Sequence, residues 1–354
     1  MTFILSVKDV YRQAVESATG GKNTVMYDDK GNPSIMVRVP RFNLSDVIDG
    51  APNTPHPAFI VDGVTKDEIW ISKYQNIVQD GRAYSLPGMD PSVYVNFDQA
   101  KSYCAAKGKG WHLMTNAEWA AIALWCKKNG TMPRGNNNYG ADVSASYERG
   151  KETFFDSGAG KTGRVATGSG PASWSHDGTN AGIFDLNGNI LEWNDGLKLV
   201  NGKIYVHKDN NFNTPYDDNA QWIDTGVFFD SVADGKADQA DINLGAYQLS
   251  DQRTKPMYTG GDTDDYYAHG EGDFQSMGVK TGFVVPDLLK YLAVAPIEGD
   301  YQGDYTWVRN YGLRPARRGG HWWDGSRAGL FSLNFLDHRS YSWDTGGFRS
   351  ALVL

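Results

Sequence analysis

The side chains with the most chemistry to offer lie in the last 37 residues, set between stretches of Gly, Trp, Phe and Arg. Those stretches read Arg318-Gly319-Gly320-His321-Trp322, then Gly325-Ser326-Arg327-Ala328-Gly329-Leu330-Phe331, then Gly347-Phe348-Arg349. Within and between them stand His321, Trp323, Asp324, Ser332, Asn334, Leu336, Asp337, His338, Tyr341, Trp343 and Asp344. Asp337 and His338 are adjacent, but no nucleophile is positioned to complete a triad with them. The seven histidines of the chain form no H-x-x-x-H pair, so zinc chemistry lacks its spacing. Such a mixture suits recognition instead. Tyr, Trp and His present large, stiff contact area with a polar handle, and aromatic anchors dominate binding hot spots.

Other chemical signals are weaker. Ser157-Gly158-Ala159-Gly160-Lys161-Thr162 imitates the end of a phosphate-binding loop, but position 155 is Phe where the first Gly is required. Asp262-Thr263-Asp264-Asp265 offers oxygen ligands for a structural Ca2+, against the blander reading of a solvated acidic loop. No other cofactor is implied by composition or spacing. The formal net charge of -8 argues against a nucleic-acid partner, because phosphate neutralisation needs clustered Lys and Arg. No stretch of about 18 apolar residues exists for membrane insertion, and Phe3-Ile4-Leu5 is too short for a secretory signal.

The elements that must hold the tail can be read from local patterns. Ser6 and Asp9 open an amphipathic helix that Gly20-Gly21 stops. Ser34 to Pro40, Ala58-Phe59-Ile60-Val61 and Glu68 to Tyr74 read as strands, and a helix begins near Asn96. Thr115 and Glu118 form a T-x-x-E capping box, after which Trp119, Ile122, Ala123 and Cys126 make a single apolar stripe ended by Gly130. Pro286-Asp287 opens one further helix. Cys104 and Cys126 both fall on helices, where buried free thiols are expected. Ser332-Leu333-Asn334-Phe335 alternates, which in a strand would send Leu333 and Phe335 inward and Ser332 and Asn334 outward. Arg318, Arg327 and Arg349 are expected to brace loops through their several donors, with Gly319, Gly320 and Gly347 at turns or close approaches. Trp193 and Trp322 are expected in the core.

Three separated blocks carry a family resemblance: Gly110-Trp111-His112-Leu113-Met114-Thr115-Asn116-Ala117-Glu118-Trp119, Gly188-Asn189-Ile190-Leu191-Glu192-Trp193, and Arg318-Gly319-Gly320-His321-Trp322 with Gly347-Phe348-Arg349. Together they resemble the formylglycine-generating-enzyme branch of the C-type lectin fold, with Met114 standing where that family usually has Pro. The resemblance implies an α+β C-type lectin domain over 56–354, preceded by a bracing or attachment segment over 1–55. An acidic insertion covers about 197–306, where carboxylates outnumber Lys and Arg about two to one. The enzymes of that branch depend on a C-terminal cysteine pair that binds copper, and here no cysteine follows Cys126. Trp193-Asn194-Asp195 spells the W-N-D of calcium-dependent lectins without their E-P-N or Q-P-D partner, so calcium-mediated sugar binding is not indicated.

The tail also resembles the variable proteins of diversity-generating retroelements, in which asparagine codons of the AAY type are mutated to any NNY codon. That resemblance implies a variable ligand-binding region over about 318–354, on a non-enzymatic protein with a host or cell-surface protein or glycan receptor as partner. The eleven polar and aromatic residues named at the outset are then the contact positions, with Trp193, Arg318, Gly319, Gly320, Trp322, Arg327, Phe348 and Arg349 as scaffold. Trp has no NNY codon, so Trp323 and Trp343 are fixed or come from another template codon. The implied setting is a phage tail fibre or tip, in which homotrimer avidity raises affinity. The alternatives are the bacterial cytoplasm or cell surface.

Overall fold

In the computed structural model, which describes residues 9–231, 247–254 and 270–354, the capping box at Thr115 is the best-formed local signal. The Thr115 hydroxyl accepts the Glu118 N–H at 3.2 Å, and the Glu118 carboxylate accepts the Thr115 N–H at 2.9 Å. The helix Asn116–Asn129 follows, ended by Gly130 at φ 67°. The single stripe is corrected: Asn116 to Leu124 are all buried, because the helix packs against Pro57–Phe59, Leu44–Val47, Leu191–Val200 and Gly329–Phe335 together. Asn96 caps the helix Phe97–Ala105 through a second capping box with Gln99. Asp9 caps Val10–Ala18 by accepting the Arg12 N–H; Ser6 and the Asp262–Asp265 cluster lie outside the described residues. Asp287–Tyr291 is helical after Pro286. Ala58-Phe59 is not strand: Pro57 starts a 3-10 turn, and only Ile60–Val61 remain extended.

Few helices and two main sheets make this an α+β chain. The smaller sheet runs Asn23–Tyr27, Pro33–Pro40, Glu68–Ser72, Ser350–Leu352, Trp111–Leu113 in spatial order. The last strand of the chain therefore lies between two strands from its first third. The larger sheet runs Gly270–Asp273, Tyr305–Val308, Gly329–Phe335, Leu313–Gly319, Leu191–Val200, Lys203–Val206, Ile223–Ser231, Tyr247–Ser250, Gly278–Val279, and Gly346–Phe348 pairs in parallel with Leu191–Val200. The acidic stretch thus adds strands to the sheet that carries the tail. Ser157–Thr162, the phosphate-loop imitation, lies within the hairpin of Phe155–Asp156 and Lys161–Thr162.

One buried ion pair joins the two sheets. Arg349, fully buried just before Ser350–Leu352, donates Nε and Nη2 to the Glu192 carboxylate at 2.6 Å each. Its remaining donors reach the carbonyls of Ser72, Phe184 and Asp185 at 3.2, 3.1 and 3.3 Å. Gln75 donates to the same carboxylate at 3.1 Å. Removing one partner of such a pair strands a buried charge. Arg349→Met is expected to destabilise the fold by about 3–5 kcal/mol in urea titrations, against at most about 1 kcal/mol for Arg12→Met at the exposed Arg12–Glu16 pair. Equal effects would contradict this assignment.

Two buried histidines, His56 and His207, and the half-buried His176 set a pH dependence. His56 accepts the Ala58 N–H at Nδ1 and donates from Nε2 to the Tyr291 carbonyl at 2.9 Å, so it is a neutral ring. Burial lowers its pKa from 6.5 to about 4, and does the same to His176 and His207. A lowered histidine pKa means that the unfolded chain binds the proton first. The stability from each ring is full above pH 6.5 and is lost as pH falls toward 4. Asp185 opposes this, since burial raises its pKa to about 6 and its contribution fades as pH rises through that value; buried Asp304, also raised, acts in the same sense. His56→Gln is expected to flatten the rise of urea-unfolding stability between pH 4 and 6.5 by up to about 1.4 kcal/mol per pH unit; an unchanged slope contradicts the assignment.

Candidate functional site

The strand Leu313–Gly319 sends successive arginines to opposite faces, as a two-residue period demands. Arg318 is sealed on one side, donating to Asn116 Oδ1 at 2.6 and 3.1 Å and to the Ala293 carbonyl at 3.0 Å. Arg317 serves the other side: it donates to Asn334 Oδ1 at 3.1 Å, pairs with Asp337, and lies over the rings of Trp193 and Tyr341. At the end of the strand Gly319 and Gly320 take φ values of 89° and 76°. A Cβ at Gly320 would fall 2.5 Å from that of Ala328, so the turn closes only with glycine.

That turn divides two adjacent tryptophans. Trp322 is fully buried near Phe154 and Arg164, whereas Trp323 is 40% exposed. Asp324 fixes the turn by accepting the His321 N–H at 2.9 Å, and its other oxygen lies 3.3 Å from His321 Nδ1. Burial lowers the His321 pKa, with Asp324 opposing, so the ring is neutral at pH 7. Two backbone bonds tie the turn to the 131–180 region: Tyr139 N–H to the Trp322 carbonyl at 2.7 Å and Gly325 N–H to the Asn137 carbonyl at 2.9 Å.

Beside this turn lies a depression of about 140 Å³, lined by Trp307, His321, Trp323, Asp324, Arg327, Asn334 and Leu336. Five of these are contact positions expected from the tail. The His321 and Trp323 rings are 4.1 Å apart on its wall, and Asn334 forms part of its lining although nearly buried.

The expected outward alternation is corrected. Gly329–Phe335 is buried along its whole length, because it lies inside the sheet, packs against the helix Asn116–Asn129, and meets the Arg327 carbonyl at Ser332 and Arg317 at Asn334. Ser332 is 1% exposed and donates its hydroxyl to the Arg327 carbonyl. Asp337 is also buried, held between Arg317 and Arg309, so neither side chain is available on the surface. His338 and Tyr341 are half-buried with rings 6.0 Å apart, Trp343 is 52% exposed, and Asp344 is half-buried with its carbonyl accepting from Arg164 at 3.2 Å.

Among the scaffold residues, Trp193 is buried with Nε1 donating to the Val95 carbonyl at 2.8 Å, and Phe348 is fully buried. Arg327 departs from the bracing role expected of it. It is exposed, with its guanidinium 5.5 Å from the Tyr305 ring centroid and 6.0 Å from that of Trp307. Trp307 was missed by the sequence reading, though the Tyr305-x-Trp307 spacing places both rings on one strand face.

The cysteines do not form the copper pair that the formylglycine-generating resemblance would require. Cys104 packs with Phe97, Trp193 and Phe348, while Cys126 belongs to a separate core with Ile122 and donates to the His176 carbonyl at 3.1 Å. Burial pushes both thiols up, away from the reactive thiolate. Among the described residues no group of three or more His, Cys, Asp or Glu is placed to hold a metal ion, and no helix is long and apolar enough to cross a membrane.

The FGE-sulfatase family, described as the sulfatase-modifying factor enzyme 1-like domain, matches residues 13–221, a span that ends before the depression. No curated protein matches. Among solved structures, PvdO from Pseudomonas aeruginosa aligns over 94% of this chain and 98% of its own at 15% identity and a TM-score of 0.38. Treponema denticola variable protein 1 aligns over 93% of this chain and 98% of its own at 14% identity and a TM-score of 0.32. The P3c variant of Major Tropism Determinant covers 93% of this chain and 71% of its own at 12% identity and a TM-score of 0.32.

The two tryptophans give a direct check on the turn. Trp322→Ala is expected to cost about 3–5 kcal/mol in urea unfolding, and Trp323→Ala no more than about 1 kcal/mol. The reverse order would mean that the turn is inverted.

Proposed function

Since the chain belongs to the sulfatase-modifying factor enzyme 1-like family, with its C-type lectin-like fold, we propose that it is a ligand-binding protein whose C-terminal face is diversified by a retroelement. The observation that carries this reading is the convergence of His321, Trp323, Asp324, Asn334 and Leu336 on one depression. Behind them, buried Arg318 and Trp322, the glycine turn and the bond from the His321 N–H to Asp324 fix the backbone, leaving side chains such as His321 and Leu336 to be exchanged. His, Asp, Asn and Leu are all reachable from an AAY codon, and Trp323 is then a fixed anchor. Ser332, Asn334 and Asp337, being buried, fall outside the exchangeable set, and His338, Tyr341, Trp343 and Asp344 are further contact positions outside the lining of the depression.

On this reading the protein serves host-receptor recognition on a phage tail fibre or tip, as a homotrimer that gains strength from avidity. Membership of the family favours one rival, an oxygen-dependent oxidase. Such an enzyme would need two reactive thiols, and the separate burial of Cys104 and Cys126 speaks against it. Stoichiometric copper bound at a cysteine pair would revive it.

A library randomised at His321, Leu336, His338 and Tyr341 and selected on immobilised lysozyme tests the display reading. Binders are expected whose unfolding free energies stay within about 1 kcal/mol of the parent, roughly the range for surface substitutions. If every binder is destabilised, or none emerges from a folded library, the display reading fails. In the flanking DNA, the same reading expects a near-copy of the 3′ end of the gene that differs where the copy has adenines.

A further inference from the structure

The depression is rich in donors and poor in available acceptors. Asp324 is committed to the backbone and ring of His321, and Asp337 to Arg317 and Arg309. Asn334 Oδ1 already accepts from Arg317 and from the Leu336 N–H, both at 3.1 Å. Pinning that oxygen fixes the amide and leaves its Nδ2 hydrogens to donate. Arg327 carries five N–H donors, is exposed, and makes no ion pair with any described residue. It is nevertheless held in place, resting over the Tyr305 and Trp307 rings. A guanidinium positioned by stacking, with no ion pair among the described residues, is complementary to a carboxylate, which it can bind in a bidentate fork.

The walls narrow the choice further. Trp323 and Trp307 both line a space of about 140 Å³, small enough for a single ring-sized group. The negative face of an indole attracts the patch of C–H bonds on one face of a saturated ring. An aspartate or glutamate side chain could reach Arg327 but would give Trp323 no such ring face. We infer that this depression takes a carboxylated pyranose, a uronic or sialic acid residue of an acidic glycan, with its carboxylate on Arg327 and the Asn334 amide and its ring against Trp323. This rests on the reading of the C-terminal face as the binding face, and adds to it the chemical class of the ligand. No bound cation is required, because the protein supplies the positive charge itself.

Calorimetric titration of the whole chain with a glucuronic acid trisaccharide and a sialylated trisaccharide, with the uncharged glucose trisaccharide and a glutamate-rich peptide as comparators, tests the inference. At least one acidic sugar is expected to bind about tenfold or more tightly than the glucose trisaccharide, the scale of one charged hydrogen-bonding contact. EDTA should leave that binding intact. Arg327→Gln should abolish the preference without lowering stability, Arg327→Lys should retain part of it, and Trp323→Ala should weaken acidic and neutral sugars alike. Equal binding of acidic and neutral sugars, an unaltered preference in Arg327→Gln, or binding of the peptide alone overturns the saccharide assignment. If the sugars fail while the randomised library still yields lysozyme binders, the ligand class is wrong and the display reading stands. If both fail, the display reading falls with it.

Discussion

Arg349 and Glu192 are charges that the protein buries completely, and their mutual satisfaction constrains the path of the chain around them. Arg349 lies next to the strand that completes the smaller sheet, and Glu192 lies on a central strand of the larger one. With the Ser72, Phe184 and Asp185 carbonyls also bound, the guanidinium ties together four distant stretches of sequence. An arrangement of this kind contributes less to net stability than to uniqueness, since misplacing any strand would leave a buried charge without its partner. Arg318 repeats the device nearby, fixing the start of the glycine turn against Asn116 on the central helix.

The consequence for recognition is a division of labour along a few residues. Gly320 closes the turn, Trp322 anchors it inward, and Trp323 is left outward beside His321. The depression then draws from the turn, from the strand Gly329–Phe335 and from Tyr305–Val308, the strand on which the acidic stretch ends. That strand is part of the site's wall through Trp307. On the proposed reading, a rigid frame with a small and partly aromatic mouth keeps the entropic cost of ordering low when a ligand arrives.

Features governed by neighbours in sequence were legible. The capping box at Thr115, the helix start near Asn96, the glycine stop at Gly130 and the Pro286 helix start need only a few consecutive residues, and they stand where the sequence puts them. Burial decided by distant segments was not legible in the same way. Ser332 and Asn334 alternate with Leu333 and Phe335 as a half-exposed strand would, but alternation cannot distinguish solvent from a polar roof supplied by the Arg327 carbonyl and Arg317. The three frame arginines look alike in sequence. Arg318 and Arg349 are enclosed by carbonyls and carboxylates, while Arg327 stands above two aromatic rings whose approach depends on strand pairing between Tyr305–Val308 and Gly329–Phe335. The turn residues were identified by their types; the floor and the far wall required the fold.

The central claim is that the backbone of this face is set by buried groups, so that its exposed side chains can change freely. A crystal structure of one variant carrying His321→Ser, Leu336→Asn and His338→Tyr together tests it most directly. The account predicts that the backbone from Arg318 to Phe335 superposes on the parent, with Trp322 still enclosed and the Arg318 and Arg349 contacts intact. A turn that reorganises at Gly319–Gly320, or a Trp322 that swings to the surface, would contradict it.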